Sequence, residues 1–300
     1  FSQALPMMAG IFIVLLILCM VAAKVLTAKL IAPIEKLAEN IGECTEMQTY
    51  EELTPFMVMI RKQHADIMKN ARMRQEFSAN VSHELKTPMT SMKVLADSLL
   101  EQENLPVEMY QEFMGDIAKE IDRENKIITD LLSLVKMDKK GQTLNIESIN
   151  INELLEQILK RLKPIAEKKN VEIVMESFRP VTAEIDETKL SLAISNLVEN
   201  AVKYNHDNGW VHVSLNADHK FFYVKVEDSG IGIPKEDQAH VFERFFRVDK
   251  SHSREIGGTG LGLAIARNAV IAHRGAIKVY SEEGEGTTFT VRIPLIYTAS

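Results

Sequence analysis

Residues 77–91 read FSANVSHELKTPMTS, from Phe77 to Ser91, and set a histidine beside a carboxylate on one amphipathic segment. At 100° per residue, Phe77, Val81, Leu85, Met92, Leu95 and Leu99 form an apolar helical stripe, and His83 lies roughly 200° from both Val81 and Leu85. His83 is therefore expected to face water, within reach of a large partner, with Thr87 on the same face four residues on. Pro88 has no N–H to give the carbonyl of Glu84, so the helix is expected to bend just past the histidine. HELKT comes close to the HExxH helix of zinc proteases, but position 87 is Thr and the second metal-binding imidazole is missing, which removes that reading. A single exposed histidine is ordinary in itself. The rest of the chain gives it meaning.

C-terminal to this helix, a turn around Asn104, Leu105 and Pro106 leads to a second helix with Met109, Phe113, Ile117, Ile121, Ile128, Leu131 and Val135 at apolar positions. One such hairpin buries its stripes poorly, whereas hairpins from two chains make a four-helix bundle with a shared core. The expectation is a homodimer. From Leu144 onward, past a boundary at Gly141, helices alternate with strands. Val211, Val213 and Leu215, and again Phe289, Val291, Ile293 and Leu295, keep the period of half-buried antiparallel strands. Helices near 151–169, 188–204 and 261–273 would cover the buried face, giving an α/β sandwich.

N-terminal to the histidine helix, positions 30–69 carry helical periodicity broken near Gly42 and Pro55, which suits two short helices with a connector. Phe1 to Ala23 holds no charge, and Met7 to Ala23 (MMAGIFIVLLILCMVAA) is almost wholly apolar, enough with its flanks to cross roughly 30 Å of hydrocarbon. A signal peptide lacks support without a basic n-region, and a buried core helix is rarely apolar all round at this length. One transmembrane helix is expected, with Lys24 and Lys29 placing the remainder in the cytoplasm. Because the chain opens on Phe and enters the apolar run at once, a sensor region is expected upstream. The expected divisions are 1–26 for the transmembrane helix, 27–72 for a linker, 73–140 for the helical hairpin and 141–298 for the α/β domain.

The net charge of −7 comes without a long basic tract, so direct nucleic-acid binding is not expected. The charged fraction of 26% is that of a folded protein rather than a disordered one. Cys19 and Cys44 are far apart and support neither a disulfide framework nor a zinc site.

Four further segments carry weight jointly. In the first, Asn196 to Tyr204, helical spacing puts Asn196, Asn200 and Lys203 on one face, gathering amide oxygens and an ammonium where a metal-bound triphosphate could lie. An Asn alone would be an ordinary cap or surface residue. In the second, Asp228 to Pro234, an acid at a strand end can accept from an adenine amino group, while Gly230 and Gly232 allow close backbone approach. The third, Val241 to Arg247, interleaves aromatics with arginines and is read as packing that anchors a lid. In the fourth, Gly257 to Leu263, the residues Gly258, Thr259, Gly260, Leu261 and Gly262 precede a helix and can turn N–H groups toward phosphate oxygens. It is neither a Walker loop nor a dinucleotide-binding fingerprint.

Taken together, 77–91 resembles the phosphoacceptor box of bacterial sensor histidine kinases, and the four segments resemble the N, G1, F and G2 boxes of the Bergerat-type ATP-binding fold. That fold is shared with some chaperones and type II topoisomerases. The resemblance covers Arg74 to Leu295. It implies a multidomain chain: a transmembrane helix, a helical-hairpin dimerisation domain built as a four-helix bundle, and an α/β sandwich ATP-binding domain. The linker resembles a HAMP-type segment through Ala32-Pro33-Ile34 and Glu52-Leu53, with a plain coiled stalk as the alternative.

The same resemblance implies that His83 is phosphorylated from ATP and Mg2+, with Glu84 accepting an imidazole proton and Thr87 helping to dephosphorylate a response regulator. Asn196, Asn200, Lys203, Tyr204, Asp228, Gly230, Gly232, Gly258, Thr259, Gly260, Leu261 and Gly262 are implied to hold the nucleotide. Asn200 is the implied metal ligand, and Lys250 and Arg254 the implied lid contacts to phosphate. The implied partner is a response regulator that receives the phosphoryl group on an aspartate. The implied location is the bacterial cell membrane, with the kinase domains cytoplasmic. The rival readings are an ATPase machine on the same fold and a membrane scaffold that binds nucleotide without catalysis.

Overall fold

The computed structural model describes residues 4–39, 54–101, 106–138, 144–248 and 258–298. Helix α1 spans Ala4–Glu39, α2 Thr54–Glu101 and α3 Val107–Asp138. The periodicity broken at Gly42 and Pro55 thus separates the end of one long helix from the start of another, not two short ones. Pro55 sits in the first turn of α2, where a missing N–H costs no hydrogen bond. Gly42, the turn at Asn104 and Leu105, and Gly141 lie outside the described residues. Among the described residues no helix is long and apolar enough to cross a membrane. The transmembrane helix expected over 1–26 is thus not shown among these residues.

The chain forms two compact units, residues 1–78 and 79–300. In the second unit, α2 continues through Pro88 as helix, and Val81, Leu85, Met92, Leu95 and Leu99 along α2 are all half-buried, as is Phe77 at the end of the first unit. Helix α3 buries its apolar face unevenly. Ile127 and Leu134 are fully buried, whereas Met114, Ile121, Ile128 and Val135, spaced seven apart, are exposed.

The α/β domain contains β1 (Glu147–Asn150), α4 (Ile151–Glu167), β2 (Glu172–Ser177), β3 (Thr182–Ile185), α5 (Glu187–Lys203), β4 (Trp210–Ala217), β5 (Phe221–Asp228), α6 (Gly262–Ala272), β6 (Ala276–Glu282) and β7 (Gly286–Pro294). The strands make a small β1-β3 pair and a sheet ordered β2-β4-β5-β7-β6. All of its pairs are antiparallel except β2 with β4, which run parallel. The inward residues of β4 and β7, Val211, Val213, Leu215, Phe289, Val291 and Ile293, are buried as the alternation predicts, while Leu295 falls just past β7. They meet Leu154, Ile158, Ile194, Leu197 and Val270 from the three helices. The α/β sandwich is thus observed.

Local caps fix where the helices start. Asn150 accepts from the N–H groups of Asn152 and Glu153 at the start of α4. Asp186 accepts from Lys189 N–H at the start of α5. Buried His273 joins the helices: its Nε2 accepts the Asp186 N–H at 2.9 Å and its Nδ1 donates to Ala269 O at 2.7 Å. Both ring nitrogens are satisfied in the neutral form, and burial holds the imidazole below its usual range. The α5·α6 pair that carries the site is thereby held in register.

The C-terminal part of α3 packs directly on this domain. Leu134 joins Leu261, Ala264 and Ile265 in a second apolar cluster, with Leu131, Leu192 and Phe245 against it.

Candidate functional site

A cleft of about 220 Å³ opens between α5, the end of β5, β7, the 241–248 segment and the 258–262 loop, with α3 closing one side. Helix α5 supplies Asn196, Glu199, Asn200 and Lys203, with Tyr204 at its C-cap; the spacing along the helix sets these groups on one wall. Asn196 Nδ2 donates to Leu192 O at 3.0 Å, an intrahelical bond that leaves its amide oxygen for the cleft. Lys203 Nζ stands 5.4 Å from the centre of the Tyr204 ring. Burial, and then the charges of Lys126 and Arg247, push the Lys203 ammonium down to about 8. Burial also raises the Tyr204 phenol. The desolvated Lys203 ammonium, with Lys126 and Arg247 near it on the same volume, suits a polyanion, whose charge would relieve the repulsion among them.

Asp228 is the last residue of β5 and is buried. Its Oδ1 accepts from Gly230 N–H at 2.9 Å and Thr287 N–H at 3.2 Å, which fixes the carboxyl and leaves Oδ2 for a ligand donor. Burial pushes this carboxyl up to about 6 despite those two bonds. Gly232 lines the cleft at φ +71°, a conformation that side chains other than glycine's rarely adopt, and a Cβ there would meet Glu282 O.

The glycine-rich loop contributes Gly258, Thr259, Gly260 and Gly262 to the cleft. Thr259 Oγ1 donates to Asp130 Oδ2 at 2.9 Å and accepts Leu261 N–H at 3.2 Å. That N–H is therefore engaged within the loop rather than turned to the cleft. Asp130, on α3, is buried, and its carboxyl is raised by that burial. Beside it, Lys126 Nζ meets Glu199 Oε2 at 2.8 Å.

The structure thus brings Asn196, Asn200, Lys203, Tyr204, Asp228, Gly232, Gly258, Thr259, Gly260 and Gly262 together. Gly230 and Leu261 do not line the cleft. Gly230 packs under the end of α5, where a Cβ would lie 2.4 Å from Tyr204 O, and Leu261 is a fully buried core residue. Lys250 and Arg254 lie outside the described residues. The 241–247 segment divides its work. Phe242 packs edge-on against Phe289 with ring centres 6.1 Å apart, Phe245 joins the second apolar cluster, and Phe246 and Arg247 line the cleft. Lys126, Asp130, Glu199, Arg247 and Thr287 are cleft residues that the sequence reading did not single out. Glu199 had a signal, since it directly precedes Asn200; Lys126 and Asp130 had none, because nothing local shows that α3 docks here.

On α2, the His83 side chain is 68% exposed, and its Nδ1 lies 3.9 Å from Glu84 Oε1. Glu84 Oε2 accepts from Arg247 Nη2 at 2.7 Å. Thr87 Oγ1 donates to His83 O at 3.1 Å within the helix. His83, Lys86, Thr87, Thr90, Ser91, Val94 and Leu95 line one shallow groove along this face.

The sequence matches two family models: the His Kinase A (phospho-acceptor) domain over residues 73–140, and the histidine kinase-, DNA gyrase B- and HSP90-like ATPase over residues 185–296. It is 37% identical over 268 residues to the sensor histidine kinase WalK of Bacillus subtilis, covering 83% of this chain and 44% of that protein. It is 38% identical over 232 residues to the sensor-like histidine kinase SenX3 of Mycolicibacterium smegmatis, covering 76% and 60%. The chain thus spans about half the length of these relatives. Among solved structures, full-length ShkA in complex with AMPPNP has a TM-score of 0.56 at 28% identity over 75% of this chain and 47% of that one. The histidine kinase ThkA in complex with the response regulator protein TrrA has a TM-score of 0.62 at 23% identity, over 83% and 68%, a likeness of fold.

Proposed function

The chain belongs to the sensor histidine kinases of two-component systems, and from that membership we propose that it transfers the γ-phosphoryl group of Mg-ATP to His83 and then to an aspartate of a response regulator. The observation that carries the reading is the pairing of an exposed histidine, flanked by a carboxylate, with a cleft that presents an acceptor for a base at one end and converging cations at the other. Asp228 would accept from the adenine amino group. Asn196, Asn200, Lys203 and Arg247 would hold the triphosphate, and the lowered ammonium of Lys203 fits that demand. Magnesium, brought with the nucleotide, would offset charge on the phosphates, with one amide oxygen from Asn200.

Glu84 takes the proton from Nδ1 of His83, and Nε2 then attacks the γ-phosphorus in line. The new N–P bond forms as the bond to the β,γ-bridging oxygen breaks, and ADP leaves. The phosphohistidine, exposed on the helix, passes its phosphoryl group to a carboxylate of the docked regulator.

Thr87 is assigned to orient water for dephosphorylating that regulator, as family analogy suggests. Thr87→Ala should then slow regulator dephosphorylation by about 10-fold or more while His83 still takes label. Equal loss of both activities would argue against this role.

The chain is further proposed to dimerise through its hairpins, because exposed Met114, Ile121, Ile128 and Val135 repeat every seven residues, the seam of a helical bundle. It is proposed to sit in the cell membrane through α1, where Phe12, Ile13, Val14, Leu15, Leu16, Ile17 and Leu18 are all exposed around the helix. A helix apolar on every side needs a nonaqueous surrounding. Lys24 and Lys29 then favour cytoplasmic kinase domains.

The test is incubation of the whole chain with γ-labelled ATP and magnesium. Acid-labile, base-stable label on the protein is the expected result. Nucleotide binding without any label would overturn the kinase reading in favour of a scaffold.

A further inference from the structure

Arg247 stands at the boundary of the two halves of the site. It lines the nucleotide cleft, yet its Nη2 is bonded to Glu84 Oε2 at 2.7 Å on α2. The side chain is only 8% exposed, and its buried Nε has no hydrogen-bond partner. A guanidinium offers five donors and keeps its charge, so a buried N–H without an acceptor is a seat that another oxygen can fill. At the other end of the contact, Glu84 Oε1 is 3.9 Å from His83 Nδ1, beyond hydrogen-bond range. The carboxylate needed at the histidine is engaged by the cation needed at the phosphates.

We infer that Arg247 is a positioning residue that couples nucleotide occupancy to the freedom of Glu84. With the cleft open, Arg247 holds Glu84 away from His83; phosphate oxygens in the cleft compete for the same guanidinium and release the carboxylate to the imidazole. The inference rests on the reading of His83 as phosphoacceptor and Glu84 as its base. Lys126 and Lys203 line the same cleft and share its charge with Arg247, so a polyanion entering there meets Arg247 together with them.

Linkage supplies the test. If Glu84 competes with phosphate for Arg247, removing the competitor must tighten phosphate binding. The affinity of the whole chain would be measured for magnesium with a non-hydrolysable imido analogue of ATP, and separately for adenosine, which has no phosphate. Glu84→Gln should tighten the analogue by about 5- to 20-fold and leave adenosine unchanged, and in an Arg247→Ala background it should change neither. Unchanged or weaker affinity for the analogue in Glu84→Gln would overturn the inference, as would tightening that persists without Arg247. Tightening of adenosine to the same extent would also overturn it, because it would mean that the ion pair merely braces the hairpin over the cleft. A chain that shows the expected coupling but takes no label on His83 would uphold the competition and overturn the kinase reading instead.

Discussion

His83→Ala is expected to remove protein-bound label from γ-labelled ATP by at least about 1000-fold, while the affinity for a non-hydrolysable ATP analogue stays within about twofold. The two expectations separate because the histidine is not part of the cleft that binds nucleotide. His83 lies on α2 among the residues of a separate shallow groove and is not among the residues that line the cleft. Its loss removes the nucleophile and leaves Asn196, Asn200, Lys203 and Asp228 where they are. A phosphoryl group on imidazole nitrogen is lost in acid and kept in base, the opposite of a phosphoserine, so the stability of the label reports its chemistry as well as its site. ATP turnover that survives His83→Ala at the unchanged rate would instead place the chain with the hydrolytic machines that share this nucleotide fold.

Much of the architecture was legible because period and burial coincide. Val211, Val213 and Leu215 alternate with His212 and Ser214, and the structure buries the first set and leaves the second half-buried on the outer face of the sheet. The direction of β2 was not legible. Its partner β4 lies beyond β3 and α5, and a strand's own pattern does not reveal whether the chain returns by hairpin or by crossover. Helix α3 shows a different limit. Its apolar residues lie on one broad face, yet Ile127 and Leu134 are buried and Phe113, Ile117 and Leu131 half-buried, whereas Ile121, Ile128 and Val135 are exposed. Both sets are spaced by turns of the same helix, and only the docking of Leu131 and Leu134 onto Leu261 and Ile265 tells them apart. The same docking brings Lys126 and Asp130 to the cleft.

Leu261 carries the corresponding lesson within the site. A glycine-rich run suggested that each of its residues faces phosphate, but an apolar side chain between glycines had another use in the core. The arginine of the 241–247 segment was equally ambiguous. Nothing in its neighbours distinguishes packing from a contact to Glu84, 163 positions away.

Asp228→Asn should raise the dissociation constant for ATP and for adenosine by about 100-fold or more, with little change in thermal stability at pH 4, where the native carboxyl is protonated. The substitution keeps an oxygen at Oδ1, so the N–H groups of Gly230 and Thr287 remain bonded. At Oδ2 it replaces an acceptor by an NH2 group, which would face the donor of an adenine ring. Asp228→Ala removes both functions, leaves two buried N–H groups unpaired, and should cost about 1–3 kcal/mol of folding stability in addition. The pH dependence gives an independent check. Burial holds the native carboxyl at about 6, above the ~3.9 of an unfolded aspartate, so the native state binds the proton more tightly. The stability from this group is then fully present below pH ~4 and is lost as pH rises through about 6, a change on the order of 2–3 kcal/mol. Urea unfolding at pH 4 and pH 7.5 should show that difference between the unchanged chain and Asp228→Asn, which has no proton to lose. Adenosine binding should run the other way and tighten as pH rises through about 6, because the amino group needs an ionised acceptor. If adenosine affinity is flat from pH 5 to 7.5, or if the variant unfolds with the same pH slope, Asp228 is not the group that reads the base.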